Sequence, residues 1–334
     1  YAMFDNKAGD KFRMVWGARL EFFKQHLESF ENSASTEPDP IVIDTEDADS
    51  IGLPFDFLPS VNIIYSLTDK FNIRLAGSKT VVRPELRELA PFGFYDYENS
   101  VYVIGNDTLK STDIFNGDLR FEFYPGLGQI LSASLFYKYF QNPIEISKYN
   151  TGFYQQLKPI NEDFAKNFGF ELEVRKNFSF ISDKPFFKNL SFNANYAYIK
   201  SVVEVTDTAY YGVSERPLQG QSPFVFNTGL TYLNPKTGFS ITGLYNVIGR
   251  RINELGYKNY PDIYENPRPQ LDAQASIPFL KNGIVRLTLA DILSRDAIFY
   301  QDMDESGDYE EDADQLIAQI NTGSRVSLSV SYRF

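Results

Sequence analysis

Apolar and polar residues alternate with a period of two along most of this chain, most plainly in its last ten residues. Val326, Leu328, Val330, Tyr332 and Phe334 hold the even positions, and Arg325, Ser327, Ser329, Ser331 and Arg333 the odd ones. That period belongs to a β-strand with one oily and one wet face. Eleven further segments read the same way, near 12–22, 61–67, 71–75, 119–123, 131–139, 168–175, 190–198, 224–232, 239–245, 271–277 and 285–289. In the first, Phe12, Met14, Trp16, Ala18, Leu20 and Phe22 oppose Arg13, Gly17, Arg19 and Glu21. In another, Leu131, Ala133, Leu135, Tyr137 and Tyr139 oppose Ser132, Ser134 and Lys138. No apolar face carries a charge, whereas the opposite faces are rich in Arg, Glu, Asn, Ser and Thr.

The connections alternate as well. Asp69-Lys70, Pro125 to Gln129, Asn234 to Gly238 and Lys281 to Gly283 are short and turn-like, and the longer Asn177 to Asn189 falls in the same alternate position. Between them lie long polar stretches at about 24–56, 79–113, 141–165, 200–222, 248–269 and 294–323. Short turns at one end and long loops at the other is the arrangement of an outer-membrane barrel. A soluble β-sandwich also keeps charge off its inner face, but it has no reason to sort its connections by length.

Composition narrows the reading. No apolar run approaches the ~20 residues of a transmembrane helix, whereas the last strand has the ~9–11 residues of a tilted transmembrane strand. Mean hydropathy is only −0.31, which suits a barrel whose strands are half polar. Phe (30) and Tyr (22) are abundant, and several fall at strand ends, where interfacial girdles belong. The net charge of −12 argues against nucleic acid as a partner. The chain has no Cys and a single His, His26, which leaves no thiolate metal site and little room for His-based catalysis. Tyr1-Ala2-Met3-Phe4 reads as the end of an earlier strand, followed by a turn over Asp5 to Asp10, so a C-terminal piece of a longer precursor is expected.

Several stretches carry a resemblance. Leu58-Pro59-Ser60-Val61-Asn62, the run from Ser78 to Phe92 containing Val82-Arg83-Pro84-Glu85-Leu86, and Gly105-Asn106-Asp107-Thr108-Leu109-Lys110 are three of them. Arg216-Pro217-Leu218-Gln219-Gly220-Gln221-Ser222-Pro223, Tyr245 to Arg251 and the closing Ser331-Tyr332-Arg333-Phe334 are the others. Together they resemble TonB-dependent outer-membrane receptors. The resemblance implies an all-β fold: an antiparallel transmembrane β-barrel with about twelve strands here, the C-terminal half of a barrel of about 22 strands. Residues 1–334 would all belong to that barrel domain, with the plug and TonB box upstream. It implies the outer membrane of a Gram-negative bacterium, with the long loops outside the cell. Partners would be outer-membrane lipid, the inner-membrane TonB complex acting through the N-terminal part, and a surface lipoprotein lid. The aromatic C-terminus, with Val326, Leu328, Val330, Tyr332 and Phe334, resembles the signal that the barrel-assembly machinery reads.

Candidate ligand residues lie in the long connections: Arg83, Glu85, Arg87 and Glu88, Tyr95, Tyr97 and Tyr102, Tyr210 and Tyr211, Arg250 and Arg251, Tyr257 and Tyr260. The charged ones either face a ligand or plug, or pair with one another to order their loops; the tyrosines either stack on a ligand or pack at the interface. Asp302, Asp304, Ser306 and Asp308, with Gly307 among them, resemble the first half of a calcium loop. Calcium in the 302–312 loop is therefore the one cofactor considered, against a merely solvated acidic loop. His26 with Ser29 lacks a recognisable third catalytic partner, and no enzyme activity is expected. Three function classes remain: TonB-dependent import of a nutrient such as a siderophore, glycan or peptide, a passive porin or structural barrel without a plug, and a soluble carbohydrate-active β-protein. An open half-sheet, with edges that need further strands, is expected over a small closed barrel.

Overall fold

The computed structural model describes residues 1–30, 40–46, 55–90, 92–97, 101–150, 155–205, 214–256, 261–304 and 306–333. The chain opens with β1 (Ala2–Ala8), β2 (Phe12–Glu21), β3 (Lys24–Phe30), β4 (Pro40–Glu46), β5 (Asp56–Thr68) and β6 (Phe71–Val82). A short helix α1 (Leu86–Leu89) precedes β7 (Gly93–Asp96), β8 (Val101–Ile104), β9 (Thr112–Phe123) and β10 (Ile130–Gln141). Next come β11 (Ile144–Asn150), β12 (Gln155–Asn161) and β13 (Phe164–Asn177), then helix α2 (Pro185–Asn189). β14 (Leu190–Glu204), β15 (Glu215–Arg216), β16 (Phe224–Leu233), β17 (Ser240–Ile248), β18 (Arg251–Glu254) and β19 (Ile263–Glu265) follow. The chain closes with β20 (Gln270–Phe279), β21 (Gly283–Ala290), β22 (Ala297–Gln301), β23 (Gln315–Ile320) and β24 (Arg325–Tyr332).

One 14-stranded sheet carries the molecule, in the order β1-β2-β5-β6-β9-β10-β13-β14-β16-β17-β20-β21-β24, with β15 beside β14. All twelve strands expected from the alternation are in it. β1 is the thirteenth of the path, and here the sequence reading needs correcting. Asp5 to Ala8 continue the strand, and the turn is confined to residues 9–11. Cross-strand partners outweigh the turn propensity of Asp and Asn: the Arg13 guanidinium donates to both Asp5 oxygens at 2.9 and 2.7 Å, and Trp16 Nε1 donates to Asn6 at 3.0 Å. Gly9, at φ +63°, supplies the left-handed residue that the tight turn requires. Among the described residues, β1 and β24 each pair on one side only.

Register joins the alternating faces into continuous rows. On the apolar side, Ile63 stands opposite Leu75, Leu75 opposite Leu119, Leu119 opposite Leu135, and Leu135 opposite Phe170. On the polar side, Glu122 faces Ser132, Ser132 faces Glu173, Glu173 faces Asn195, and Asn227 and Asn246 extend the row. A slip of one residue would exchange these rows.

Burial is inverted relative to a water-soluble sheet. Along β10, Leu135 is 55% exposed, while Ser134 is 7% exposed. Glu122 on β9 is 5% exposed, whereas Leu172 on β13 is 47% exposed; Val326, Leu328 and Val330 are exposed too, as is every residue of the edge strand β24. Aliphatic and aromatic side chains thus form the more exposed face and the polar row the more buried one, as hydrocarbon outside and a hydrated lumen inside require. The dry apolar packing lies at the end of the sheet with the long connections, where Leu89, Val101, Leu109, Val203, Ile252, Leu255 and Tyr300 are buried.

Those connections differ from the polar loops expected. They contain β3–β4, a sheet ordered β11-β12-β8-β7, and a second sheet ordered β18-β19-β22-β23. The barrel strands also run further into them than the alternation suggested. β6 reaches Val82, and β9 begins at Thr112, carried by an ion pair between buried Lys79 and Asp113 at 3.0 Å. Side-chain pairing sustains these extensions without a two-residue hydrophobic period.

Candidate functional site

At the long-connection end the chain builds a layer over the sheet, and the segment from Arg216 to Ser222 holds it together. Arg216, at the end of β15, is 7% exposed and lies between two buried acids. Its Nη1 is 2.7 Å from Glu145 of β11 and its Nη2 3.0 Å from Glu162. Burial pushes the Glu145 carboxyl above its ordinary value, and the guanidinium offsets only part of that rise. The backbone N–H of Gln219 donates to Glu145 at 2.7 Å, while the Gln219 side chain donates to the carbonyl of Asn253 at 2.9 Å. Gly220 N–H donates to the Ile252 carbonyl at 2.8 Å, and the single Ser222 hydroxyl proton is shared between the Phe224 and Gly249 carbonyls, 2.7 and 3.0 Å away. With the ion pair between Lys148 and Glu254, these bonds tie β11 to β18. The sheet β11-β12-β8-β7 is thereby fixed against the sheet β18-β19-β22-β23.

A cavity of about 720 Å³ opens between this segment and the inner face of the barrel, lined by Phe140, Asn167, Gln219, Gln221, Arg251 and Asn253 among others. Asn167 is 6% exposed and donates to Gln221 at 3.2 Å, and its Oδ1 has no partner. The cavity therefore offers amides, apolar side chains, one enclosed acceptor and the charged groups of Glu88, Glu145 and Arg251. Sequence reasoning did not single out Asn167 or Glu145, which look like ordinary strand residues. Gln219 and Gln221 were visible only as part of a quoted motif.

The charged candidates lie in pairs. Arg83 bonds Glu21 at 2.7 Å and also Asp56, and stacks over Phe23 at 4.6 Å. It thus ties together the ends of β2, β5 and β6. Glu85 N–H donates to Glu88 at 2.8 Å in a capping arrangement that starts α1, and Arg87 stacks over Phe94 at 4.0 Å. Arg251 bonds Glu265 across the β18–β19 pair at 2.7 Å. Arg250 reaches Asp302 at 2.6 Å and Tyr300 at 3.2 Å, with its guanidinium 3.8 Å from the ring centre of Tyr264. Burial and nearby Asp262 push the Tyr264 hydroxyl up to about 12. Tyr95 packs edge-on against Tyr97 and Tyr102, each at 4.9 Å, and Tyr97 is 85% exposed. Of the named candidates, this tyrosine group offers the most open surface. Tyr210, Tyr211, Tyr257 and Tyr260, together with Phe334, lie outside the described residues.

Below the layer, the inner wall carries a charge ladder. Arg74 bonds Glu122 at 2.7 Å, and Arg120 bonds Glu122 at 3.0 Å and Glu173 at 2.7 Å. Tyr124 donates to Glu122 at 2.9 Å. Alternating signs leave little net charge along the wall. Gly105 and Asn106, from another quoted motif, are structural: a Cβ at Gly105 would meet the carbonyl of Ala90, and Asn106 donates to the Pro159 carbonyl at 2.9 Å.

The family model described as TonB dependent receptor-like, beta-barrel matches residues 1–290. No curated protein matches the chain. Among solved structures, the copper transporter OprC is similar at 15% identity and a TM-score of 0.62, over 98% of this chain and 46% of that one. A mutant ferric enterobactin receptor, PfeA of Pseudomonas aeruginosa, in complex with enterobactin, is similar at 15% identity and a TM-score of 0.58, over 87% of this chain and 39% of that one. The siderophore receptor PirA of Acinetobacter baumannii is similar at 14% identity and a TM-score of 0.56, with 87% and 41% covered. The chain thus spans less than half the length of these structures, and at such identities the likeness is one of fold.

Proposed function

This chain belongs to the TonB-dependent receptor-like β-barrel family, and from that premise we propose that the protein imports a nutrient ligand across the outer membrane with energy relayed by the TonB complex. The observation that carries the reading is the inverted burial of the sheet within the matched region, with Leu135 outward and Ser134 inward. In this reading the long-connection end faces the cell exterior, and the remaining strands and plug lie upstream of Tyr1. The ligand enters from the layer, past Tyr95 and Tyr97 and the amide-lined cavity. Its class is a siderophore, glycan or peptide. β24 serves as the segment recognised by the barrel-assembly machinery, and a surface lipoprotein covers the mouth.

The test compares nutrient depletion from a defined medium by cells with and without the gene, each with and without a protonophore. We expect one class of siderophore, glycan or peptide to stay in the medium when the gene is deleted, and also when the proton gradient is collapsed in cells that keep it. Depletion that needs the gene but survives the protonophore would identify a passive pore and overturn active import. No gene-dependent difference in any class would overturn import altogether.

A further inference from the structure

We infer that Asp302, Asp304 and Asp314, in the loop joining β22 to β23, form a calcium site. This goes beyond the uptake reading and does not depend on it. One carboxylate oxygen from each residue lies within 4.8 Å of the other two. Asp314 was not in the set expected from sequence. It enters because the loop folds back, with Met303 N–H and Glu310 N–H donating to its two oxygens at 3.0 and 2.8 Å. Ser306 Oγ instead donates to the Asp308 carbonyl at 3.1 Å, and the Asp308 carboxylate lies outside the group.

A gathering of acids alone would mean little on an exposed loop, but Asp302 is not exposed. It is 5% accessible, and its Oδ2 accepts from Arg250 at 2.6 Å and from Gly307 N–H at 3.1 Å. Its Oδ1 is fully enclosed with no hydrogen-bond partner, and a carboxylate oxygen of Asp304 lies within 4.8 Å of one of Asp302. A buried carboxylate oxygen without a donor is costly, and one beside a second carboxylate calls for a cation. Arg250 cancels one of the three negative charges, and the two that remain match one divalent ion.

Calcium suits the group in size and chemistry. Oxygens on opposite sides of calcium stand about 4.6–5.2 Å apart for bonds of ~2.3–2.6 Å, whereas magnesium holds them no further apart than about 4.2 Å. A group of oxygens lying within 4.8 Å of one another can be spanned by calcium bonds. The ligands are all oxygens, and the chain has no Cys and only one His, in β3, so the softer metals find no preferred donors. Because Asp302 also holds Arg250, and Arg250 packs on Tyr264, the ion would brace the sheet β18-β19-β22-β23 from its loop side.

The test uses the intact receptor in detergent after treatment with a chelator. Terbium is added and the tyrosines are excited; Tyr300 and Tyr309, with ring centres 5.1 Å apart, stand beside the site as sensitisers. We expect saturable terbium emission that calcium displaces. Asp304→Asn and Asp314→Asn should each weaken calcium competition at least tenfold, and Asp308→Asn should leave it unchanged. Asp304 is exposed, so its variant tests ligation without opening the Arg250 pair, and it decides the matter if Asp314→Asn disturbs the loop. Absence of calcium-displaceable emission, or emission that Asp304→Asn leaves intact, would overturn the site.

Discussion

Arg216 shows how much one side chain can organise at the edge of a barrel. A guanidinium between two enclosed carboxylates is stable only while all three are present, since removing one partner leaves charge buried without compensation. We therefore expect Arg216→Met to destabilise the layer locally by about 3–5 kcal/mol. Hydrogen exchange in the intact receptor checks this: amides of β11, β12 and residues 216–222 should exchange faster, with β9 and β10 unchanged. Equal exchange across the layer would contradict the clamp. Nothing around Arg216 in the sequence announces the role, because its partners Glu145 and Glu162 lie 71 and 54 positions away. The same holds for Arg83, whose partners Glu21 and Asp56 come from two other strand ends. A charged residue in a long connection reads as solvated or ligand-facing until its distant partner is placed beside it. Asp314 escaped notice for a related reason, since spacing alone does not show how a loop folds back.

At the scale of the element, a strand such as β10 was legible because its two faces meet two different media. Leu131, Leu135 and Tyr137 are exposed and Ser132 and Ser134 buried, so a period of two is imposed over the full width of the bilayer. The strands of the layer meet no such pair of media. β11 and β12 are held by Glu145 and by one another, and β23 is exposed along almost its whole length. Their sequences carry at most a short alternation, such as Ile144-Glu145-Ile146-Ser147 in β11, and they read as loops. The lipid-facing assignment has a sharp consequence. Leu135→Arg should cost about 2–4 kcal/mol in reversible unfolding from lipid vesicles. Gln274→Arg, on the polar face of β20, should stay within about 0.5 kcal/mol. Equal costs at the two positions would contradict the assignment of faces.

Across the whole molecule, the apolar residues divide between two tasks. Those on the barrel strands cover the outside, and those buried from solvent, such as Leu89, Val101, Ile252 and Tyr300, pack the layer at one end. The result is a polar-lined wall capped by a braced set of short sheets, with Tyr97 open to solvent in the layer. Among the described residues, β1 and β24 each pair on one side only, which leaves both edges of the sheet open to pairing. Everything functional rests on which medium each face of the sheet meets. The most direct measurement places single cysteines, then spin labels, at each position from 131 to 139 of the intact receptor in lipid vesicles; this chain has no native Cys to interfere. Collision with oxygen, which concentrates in lipid, should peak at positions 131, 133, 135 and 137, with relative protection at 132, 134 and 138. Labels at both sets reporting equal contact with a water-soluble nickel complex would contradict a membrane-spanning wall.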